Sequence, residues 1–194
     1  KHALFDEGEI ELKPSDVYND MGLNWNDSST LDNERIYEPS EGWVWDGNEN
    51  GEGITWGGCL ESIDELLRHG VPIPSFEDFE NVILMTETSD EIPSSDYVHR
   101  VYRALGERGT LSRVKGVLVG RPKAWEFNNQ QSAEQKSAYR KSQRDTILEV
   151  IRAYNPTVPV VQNLEFGHTD PQIPMPYGMK ARIDTNNRKI FVNF

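Results

Sequence analysis

Three short apolar runs separated by helical patterns constrain the fold of this chain more than any other feature. Val82 to Glu87, Val114 to Val119 and Val158 to Val161 are rich in β-branched residues and are bounded by polar or turn-forming residues. Runs of this kind indicate buried strands. Because helical patterns lie between them, we predict an α/β domain with a parallel central sheet.

The helical patterns are defined by their spacing and by their start signals. Leu60 to Leu67 has apolar residues at helical spacing, and Ser94-Ser95-Asp96 supplies capping oxygens for a second helix. The polar stretch 128 to 144 leads into the apolar positions of Ile147 to Ile151. This arrangement predicts one long helix whose first half is solvated.

The two ends of the chain differ in character. Residues 1 to about 56 are acidic and appear irregular, because prolines and the run Asp46 to Gly53 break any periodicity, so we interpret them as a linker or a binding loop. Met179 to Ile183 and Lys189 to Val192 flank a polar turn and predict a terminal antiparallel hairpin.

The composition limits the classes of partner. The 194 residues include 32 acidic and 20 basic side chains, a formal net charge of −12, which argues against binding to nucleic-acid phosphate or to an anionic membrane surface. The single cysteine, Cys59, excludes an internal disulfide and fits a reducing compartment, so we expect a cytoplasmic location. No apolar run approaches the ~20 residues that span a bilayer. Because the first residue is Lys1, we expect the chain to be a fragment.

Glu87 and His168 are the residues best placed for chemistry. Glu87 ends the first apolar run, and His168 lies in the motif Phe166-Gly167-His168-Thr169, just beyond the third. Reactive groups in open α/β sheets collect beyond the carboxyl ends of parallel strands, and a carboxylate with an imidazole can form a proton relay. Either residue alone could equally be an ordinary surface group. The relay would also need a nucleophile or a metal, and the sequence offers neither in a convincing context.

Cys59 follows the pair Gly57-Gly58 at the start of the first predicted helix. The helix macrodipole could lower the thiol pKa there and make Cys59 a nucleophile, although single cysteines are more often small buried hydrophobic residues. The glycine pair could let the backbone approach a ligand closely, or could allow tight helix packing. Gly57 and Gly58 are therefore candidate substrate-binding positions.

Trp25, Trp43, Trp45 and Trp56 lie in the first third of the chain. They could stack on a ring-bearing ligand, with Trp25 the first to test, or they could pack this region onto the domain. The histidines have no metal-ligand spacing, and residues 46 to 52 lack the calcium-loop pattern. We therefore expect neither a metal nor another cofactor.

Four motifs follow one another along the chain. They are Trp56-Gly57-Gly58-Cys59-Leu60-Glu61, Ile83-Leu84-Met85-Thr86-Glu87-Thr88-Ser89-Asp90-Glu91-Ile92-Pro93-Ser94, Gly116-Val117-Leu118-Val119-Gly120-Arg121-Pro122 and Phe166-Gly167-His168-Thr169. In this order they resemble the C-terminal domain of the serine peptidases that include LD-carboxypeptidases and the microcin C self-immunity proteins. The forms around Glu87 and His168 look more like the self-immunity branch than the muropeptide branch.

The resemblance implies a Ser-His-Glu triad in which Glu87 and His168 are catalytic. It places the serine and its oxyanion hole in an N-terminal domain that lies outside this chain. Residues 1–55 would be a linker and substrate-loop region leading out of that domain, with Trp25 as the stacking aromatic. Residues 56–194 would be the catalytic domain, with a three-layer β/β/α, swivelling-domain-like fold that has a parallel central sheet and a smaller antiparallel sheet.

The implied reaction is acyl transfer on a small peptide or aminoacyl-nucleotide substrate related to microcin C, without a cofactor. The implied partners are the protein's own N-terminal domain and, as is common in the family, a second copy in a homodimer. On this view the isolated chain is inactive. Three alternatives stay open: a muropeptide LD-carboxypeptidase of cell-wall recycling, a non-catalytic ligand-binding module, and a thiol hydrolase that uses Cys59 with His168.

Overall fold

Strands and helices alternate through most of the chain. The computed structural model describes residues 2–5, 7–24 and 26–194. In chain order, the strands are β1 (Glu9–Glu11), β2 (Val17–Tyr18), β3 (Glu38–Pro39), β4 (Val44–Asp46), β5 (Gly51–Cys59), β6 (Val82–Glu87), β7 (Gly116–Gly120), β8 (Val160–Leu164), β9 (Lys180–Asp184) and β10 (Lys189–Asn193). The helices are α1 (His2–Phe5), α2 (Leu60–Arg68), α3 (Ser95–Glu107) and α4 (Ala133–Tyr154).

A mixed sheet with a parallel centre forms the frame of the domain. Across the described residues its strand order is β1-β10-β9-β5-β6-β7-β8-β4. The strands from β5 to β8 pair in parallel, β9, β10 and β1 extend one edge in antiparallel fashion, and β4 extends the other. A small separate antiparallel ladder joins β2 to β3. The predicted α/β fold with a parallel central sheet and a smaller antiparallel sheet is confirmed, and so is the terminal hairpin.

The central strands are buried along their whole length because both faces of the sheet are covered. On one face, Leu84 packs in a cluster with Tyr102 of α3 and Ile151 of α4. On the other face, Ile83 packs in a second cluster with Ile183 of β9. Strands covered on both faces need apolar residues at successive positions, which explains the continuous runs in the sequence.

Serine side chains begin the two long helices. Ser94 Oγ accepts a hydrogen bond from Tyr97 N at the start of α3, as predicted. At the start of α4, Ser132 and Gln135 form a reciprocal capping box. Each cap satisfies N–H groups that the first turn leaves free and stabilises by about 1 kcal/mol. None of the helices in the described part of the chain is long and apolar enough to cross a membrane.

Most of the first half of α4 is solvated, as predicted, but one face of it is buried. Lys136 and Arg140 are almost fully buried, and both pair with Asp20, whose side chain is itself fully buried. Lys136 Nζ lies 3.0 Å from Asp20 Oδ1, and Arg140 Nη1 donates to Tyr18 Oη at 2.8 Å. A polar helical face is usually solvated, but here a distant segment supplies counter-charges and covers it. Sequence spacing within α4 carries no sign of this.

Residues 1 to 55 contain more regular structure than the sequence analysis expects. Strands β1 and β4 close the two edges of the main sheet, and β5 enters its parallel part. Gly51 and Gly53 lie where a Cβ would overlap the carbonyl oxygens of Lys115 and Asn81. Glycine is required at such close approaches, and it removes the hydrophobic pattern by which a strand is recognised. The proposed path from an N-terminal domain through this region stays a prediction.

Candidate active site

Glu87 and His168 meet at the carboxyl edge of the parallel strands. Glu87 is the last residue of β6, and His168 lies on the loop that follows β8. His168 Nδ1 is 2.7 Å from Glu87 Oε2. Both strands run toward this edge with β7 between them, so two residues far apart in the sequence come into hydrogen-bond contact. The structure brings the two candidate residues together, while their catalytic role stays a prediction.

The Glu87 side chain occupies space that is open because two neighbouring residues are glycines. A Cβ on Gly167 would overlap Glu87 Oε2, and a Cβ on Gly120 would lie 2.8 Å from Glu87 Cβ. Gly167 also has a φ of +102°, a region that favours glycine. The tight turn at Gly167 is recognisable in the sequence, whereas the position of Gly120 and Gly167 beside the carboxylate is not. The signal available was a glycine at the end of the strand next to β6.

The carboxylate fixes the protonation of the imidazole ring. A carboxylate only accepts hydrogen bonds, so His168 Nδ1 carries a proton and donates it to Glu87, which leaves Nε2 for another group. The hydrogen bond to Glu87 raises the pKa of His168, and burial opposes part of this rise. The His168 side chain is 40% exposed, whereas that of Glu87 is 10% exposed. The ring is therefore partly exposed to solvent while a largely buried carboxylate holds it. This arrangement suits a base that acts on a substrate.

We expect NMR titration to give His168 a pKa above that of an ordinary histidine. Because the folded-state pKa is raised, the hydrogen bond contributes stability that is fully present below the unfolded-state pKa. That stability is lost as the pH rises through the folded-state pKa. Denaturant titrations at pH values below the unfolded-state pKa and above the folded-state pKa measure the difference in the free energy of unfolding. The Glu87→Gln variant should lower the His168 pKa, and a wild-type value at or below the ordinary one would contradict the geometry.

Glu165 holds the segment that leads to His168. Its fully buried carboxylate accepts hydrogen bonds from Arg121 Nη2 at 2.9 Å, Trp43 Nε1 at 2.6 Å and Ser15 N at 3.2 Å. Burial lowers the pKa of Arg121, and the neighbouring Glu165 counteracts that effect. The charges of Arg121 and Glu165 therefore stabilise each other in the protein interior. The sequence analysis included Arg121 in a motif but assigned neither residue a role.

Cys59 lies beside Glu87 in the β5–β6 ladder, where the two residues are paired across the strands. Burial raises the pKa of its thiol, and the hydrogen bond from Cys59 Sγ to Glu61 Oε2 at 3.3 Å acts in the same direction. The expectation that the helix start lowers this pKa is wrong, because desolvation and a nearby carboxylate outweigh the helix terminus. The thiol is thereby kept in its protonated, weakly nucleophilic form.

The neighbouring glycine pair has two different environments. A Cβ on Gly57 would overlap the carbonyl oxygen of Met85, so this glycine permits close packing of β5 on β6. A Cβ on Gly58 would meet nothing within 4 Å. Gly58 therefore borders open space near the strand ends, and a substrate-binding role fits it better than Gly57. That role stays a prediction for both positions.

Three of the four tryptophans in the first third of the chain pack within the fold. The ring centroids of Trp43 and Trp45 are 6.2 Å apart. Trp56 contacts Phe79 edge to face, with ring centroids 5.2 Å apart. These contacts favour packing over ligand stacking for these three rings. Trp25, which is predicted to stack on substrate, lies outside the described residues.

The loop after β7 carries an aromatic pair that the sequence analysis did not single out. Trp125 and Phe127 pack edge to face with ring centroids 4.9 Å apart, and Phe127 is largely exposed. Lys123, earlier in this loop, opposes the rise in the His168 pKa with its positive charge. The loop begins at the same carboxyl edge of the sheet as Glu87, so it borders the candidate site.

Within residues 2–5, 7–24 and 26–194, no group of three or more His, Cys, Asp and Glu residues is arranged to hold a metal ion. His168 Nδ1 is engaged by Glu87, so the ring can act on another molecule through Nε2. Acid–base chemistry is therefore what this site offers.

The sequence that carries this pair matches a known family. Residues 52–183, more than half of the chain, match the family model of the LD-carboxypeptidase C-terminal domain. The chain belongs to this family. The family is one of serine peptidases, so the resemblance seen in the four motifs is confirmed. No curated protein matches the chain.

Solved structures of microcin-immunity-like proteins share the fold of this LD-carboxypeptidase-family domain. An MccF-like protein from Streptococcus pneumoniae in complex with AMP has a TM-score of 0.77 and 25% identity, over 95% of this chain and 53% of its own. An MccF-like protein from Bacillus anthracis str. Ames has a TM-score of 0.73 and 21% identity, over 99% and 53%. MccF in complex with glutamyl sulfamoyl guanosine has a TM-score of 0.74 and 20% identity, over 96% and 50%. The chain spans about half the length of these proteins.

Proposed function

We propose that this chain is the C-terminal part of a serine carboxypeptidase or amidase, and that Glu87 and His168 are two members of its Ser-His-Glu triad. The observation that carries the proposal is the 2.7 Å contact between His168 Nδ1 and Glu87 Oε2 at the open edge of the sheet. Family membership supports the hydrolase class. The exposed imidazole and the largely buried acid match the roles of base and orienting group.

The nucleophilic serine would come from an N-terminal domain of the complete protein. Within the described residues, the side-chain hydrogen bond of the His168 ring is the one to Glu87, and no serine hydroxyl contacts Nε2. The structural neighbours are about twice as long as this chain, which leaves room for such a domain. Residues 1–55 would lead out of it, and residues 56–194 would supply the acid and the base.

In the proposed reaction, His168 Nε2 takes the proton from the serine hydroxyl as the oxygen attacks the amide carbonyl. The protonated ring then donates that proton to the leaving amine, and an acyl-enzyme forms. Water, activated by the same nitrogen, releases the acyl group. Glu87 keeps Nδ1 protonated and stabilises the positive ring in both steps.

A small peptide joined to a nucleotide, or an aminoacyl-nucleotide, is the proposed substrate class. Neighbouring structures hold AMP, which is a nucleotide, and glutamyl sulfamoyl guanosine, in which an aminoacyl group is joined to a nucleoside. The second candidate is a muropeptide with an L,D peptide bond, favoured by the name of the matching family. Only the first of these two substrates carries an aromatic base.

The test compares the complete protein with the 194-residue chain and with a His168→Ala variant. Release of the amino acid from an aminoacyl-sulfamoyl adenosine and from an L,D-tetrapeptide is measured by chromatography. We expect turnover of the nucleotide compound by the complete protein only, and loss of turnover in the variant. Turnover by the 194-residue chain alone, or full activity of His168→Ala, would refute the proposal. Preference for the tetrapeptide would select the muropeptide candidate.

Replacing Cys59 with alanine in the complete protein should leave kcat unchanged. The reason is that burial and the contact with Glu61 raise the pKa of this thiol, so it is protonated and poorly nucleophilic at neutral pH. Initial rates of the same substrate measure the effect, and alkylation of the wild-type thiol provides a second readout. A large loss of kcat with an intact fold would instead support the thiol-hydrolase alternative.

A further inference from the structure

A small cavity lies at the strand end that carries Glu87. Its volume is about 10 Å³, and its polar lining includes Thr86, Thr88, Tyr102 and Gln143. A space of this size corresponds to about one water molecule. Thr86 and Thr88 flank Glu87 in the chain, and Glu87 also lines this cavity.

Two buried oxygen atoms at this cavity have no hydrogen bond of good geometry among the described residues, although the Tyr139 hydroxyl lies near both side chains. They are Thr88 Oγ1 and Gln143 Oε1. Thr88 is 5% exposed and Gln143 is completely buried, so bulk water does not reach them. Buried polar atoms in folded proteins are almost always hydrogen-bonded, directly or through an ordered water.

The orientation of the Gln143 amide is set by the protein. Its Nε2 donates to the carbonyl oxygen of Pro93 at 2.7 Å, and only the NH₂ end can make that bond. The Oε1 atom is consequently the end left without a partner. Tyr139 Oη donates to the same carbonyl oxygen at 2.9 Å, so two side chains of α4 hold the Pro93 backbone in place.

We propose that this cavity binds one ordered water that joins Thr88 Oγ1 to Gln143 Oε1. A water can donate to the amide oxygen and either donate to or accept from the hydroxyl. The adjacent pair of Thr86 Oγ1 and Tyr102 Oη, hydrogen-bonded to each other, retains one hydroxyl proton for a third contact. Three polar partners are typical of a buried water.

The water makes Gln143 and Thr88 positioning residues for Glu87. Thr88 directly follows Glu87, and Thr86 directly precedes it. Hydrogen bonds on both sides of Glu87 therefore hold the strand end, while Gly120 and Gly167 leave room for its carboxylate. This inference deepens the proposed function, because it assigns support to the proposed catalytic acid.

The experiment combines a high-resolution crystal structure with NMR titration of His168 in the chain. The crystal structure should show a water within hydrogen-bond distance of Thr88 Oγ1 and Gln143 Oε1. Thr88→Val removes the hydroxyl while keeping the shape, and it should shift the His168 pKa downward, because Glu87 is held less firmly. Thr88→Ser keeps the hydroxyl and should restore the wild-type pKa.

Gln162→Leu is the matched control for Gln143→Leu. Gln162 is equally buried and also has an unpartnered Oε1 in the described structure, but it lies outside this cavity. We expect Gln143→Leu to lower the His168 pKa and Gln162→Leu to leave it unchanged. An apolar or empty cavity in the wild-type density, or equal pKa values in Thr88→Val and the wild type, would overturn the proposal.

Neither readout depends on turnover, so the water site is separable from the proposed function. If the complete protein fails to hydrolyse any amide while the water and the pKa shifts are present, the function fails and the inference stands. If hydrolysis requires His168 but the water is missing, the reverse holds. The wild-type crystal structure remains decisive even if a variant fails to fold.

Discussion

Replacing Glu87 with glutamine in the complete protein is expected to lower kcat by about 10⁴-fold, the loss known for comparable orienting carboxylates. Glutamine keeps the shape of the side chain but removes the charge that stabilises the protonated ring. Its NH₂ group can also donate to Nδ1 and so favour the wrong tautomer of His168. Steady-state kinetics on the aminoacyl-nucleotide analogue measure the loss, and KM should change little.

Glu65→Gln is the matched control for this experiment. Glu65 pairs with His69 through a contact of 3.0 Å between Oε2 and Nε2, so it repeats the chemistry of the site on an exposed helix surface. We expect no change in kcat from this variant. If Glu87→Gln retains most of the activity, or if both variants lose it equally, the proposed role of Glu87 is wrong.

The Glu165→Ala variant should destabilise the fold by about 3–5 kcal/mol, the cost of removing one partner from a buried ion pair. The change leaves Arg121, which is 1% exposed, without its counter-charge in the interior. It also removes the acceptor for Trp43 Nε1 and Ser15 N. Urea denaturation followed by circular dichroism gives the free energy of unfolding.

Two further variants test whether the loss of stability in Glu165→Ala is due to the burial of the ion pair. Glu52 pairs with Lys180 at 2.7 Å with both side chains half exposed, so Glu52→Ala should cost at most about 1 kcal/mol. The double change of Arg121→Met with Glu165→Leu should recover much of the lost stability, because no charge is then left unpaired. A cost for Glu165→Ala equal to that of the surface variant would show that the buried pair does not hold this segment.

The same pair connects stability to the candidate site. Glu165 is followed by Phe166, Gly167 and His168, and Arg121 directly follows Gly120 at the end of β7. The ion pair therefore ties together the two segments whose glycines border the Glu87 carboxylate. A loosened pair should disturb the Glu87–His168 contact as well as the global fold.

The geometry at the carboxyl edge of the sheet is compatible with the proposal that Glu87 and His168 act with a serine from another domain. Glu87 is held by the strand and by two glycines, whereas His168 extends from it into solvent. Such a base is preorganised before any substrate arrives, and a serine on another domain can approach its free Nε2. Separate domains that meet at this edge would enclose the substrate between them.

The sequence by itself determined the elements whose signal is local. The runs that became β6 and β8 are continuous because both faces of the sheet are covered, and a serine cap marks the start of α3. It also placed Glu87 and His168 at strand ends, since strand direction in a parallel sheet sends those ends to one edge.

Only the tertiary structure decided the features that depend on partners distant in the chain. Asp20 buries Lys136 and Arg140, Glu61 with burial raises the Cys59 pKa, and Gly120 makes room for a carboxylate from the neighbouring strand. Burial, counter-charge and steric fit are properties of the space around a residue. Spacing along the chain records which side chains share a face of an element, but not which groups the fold brings against that face.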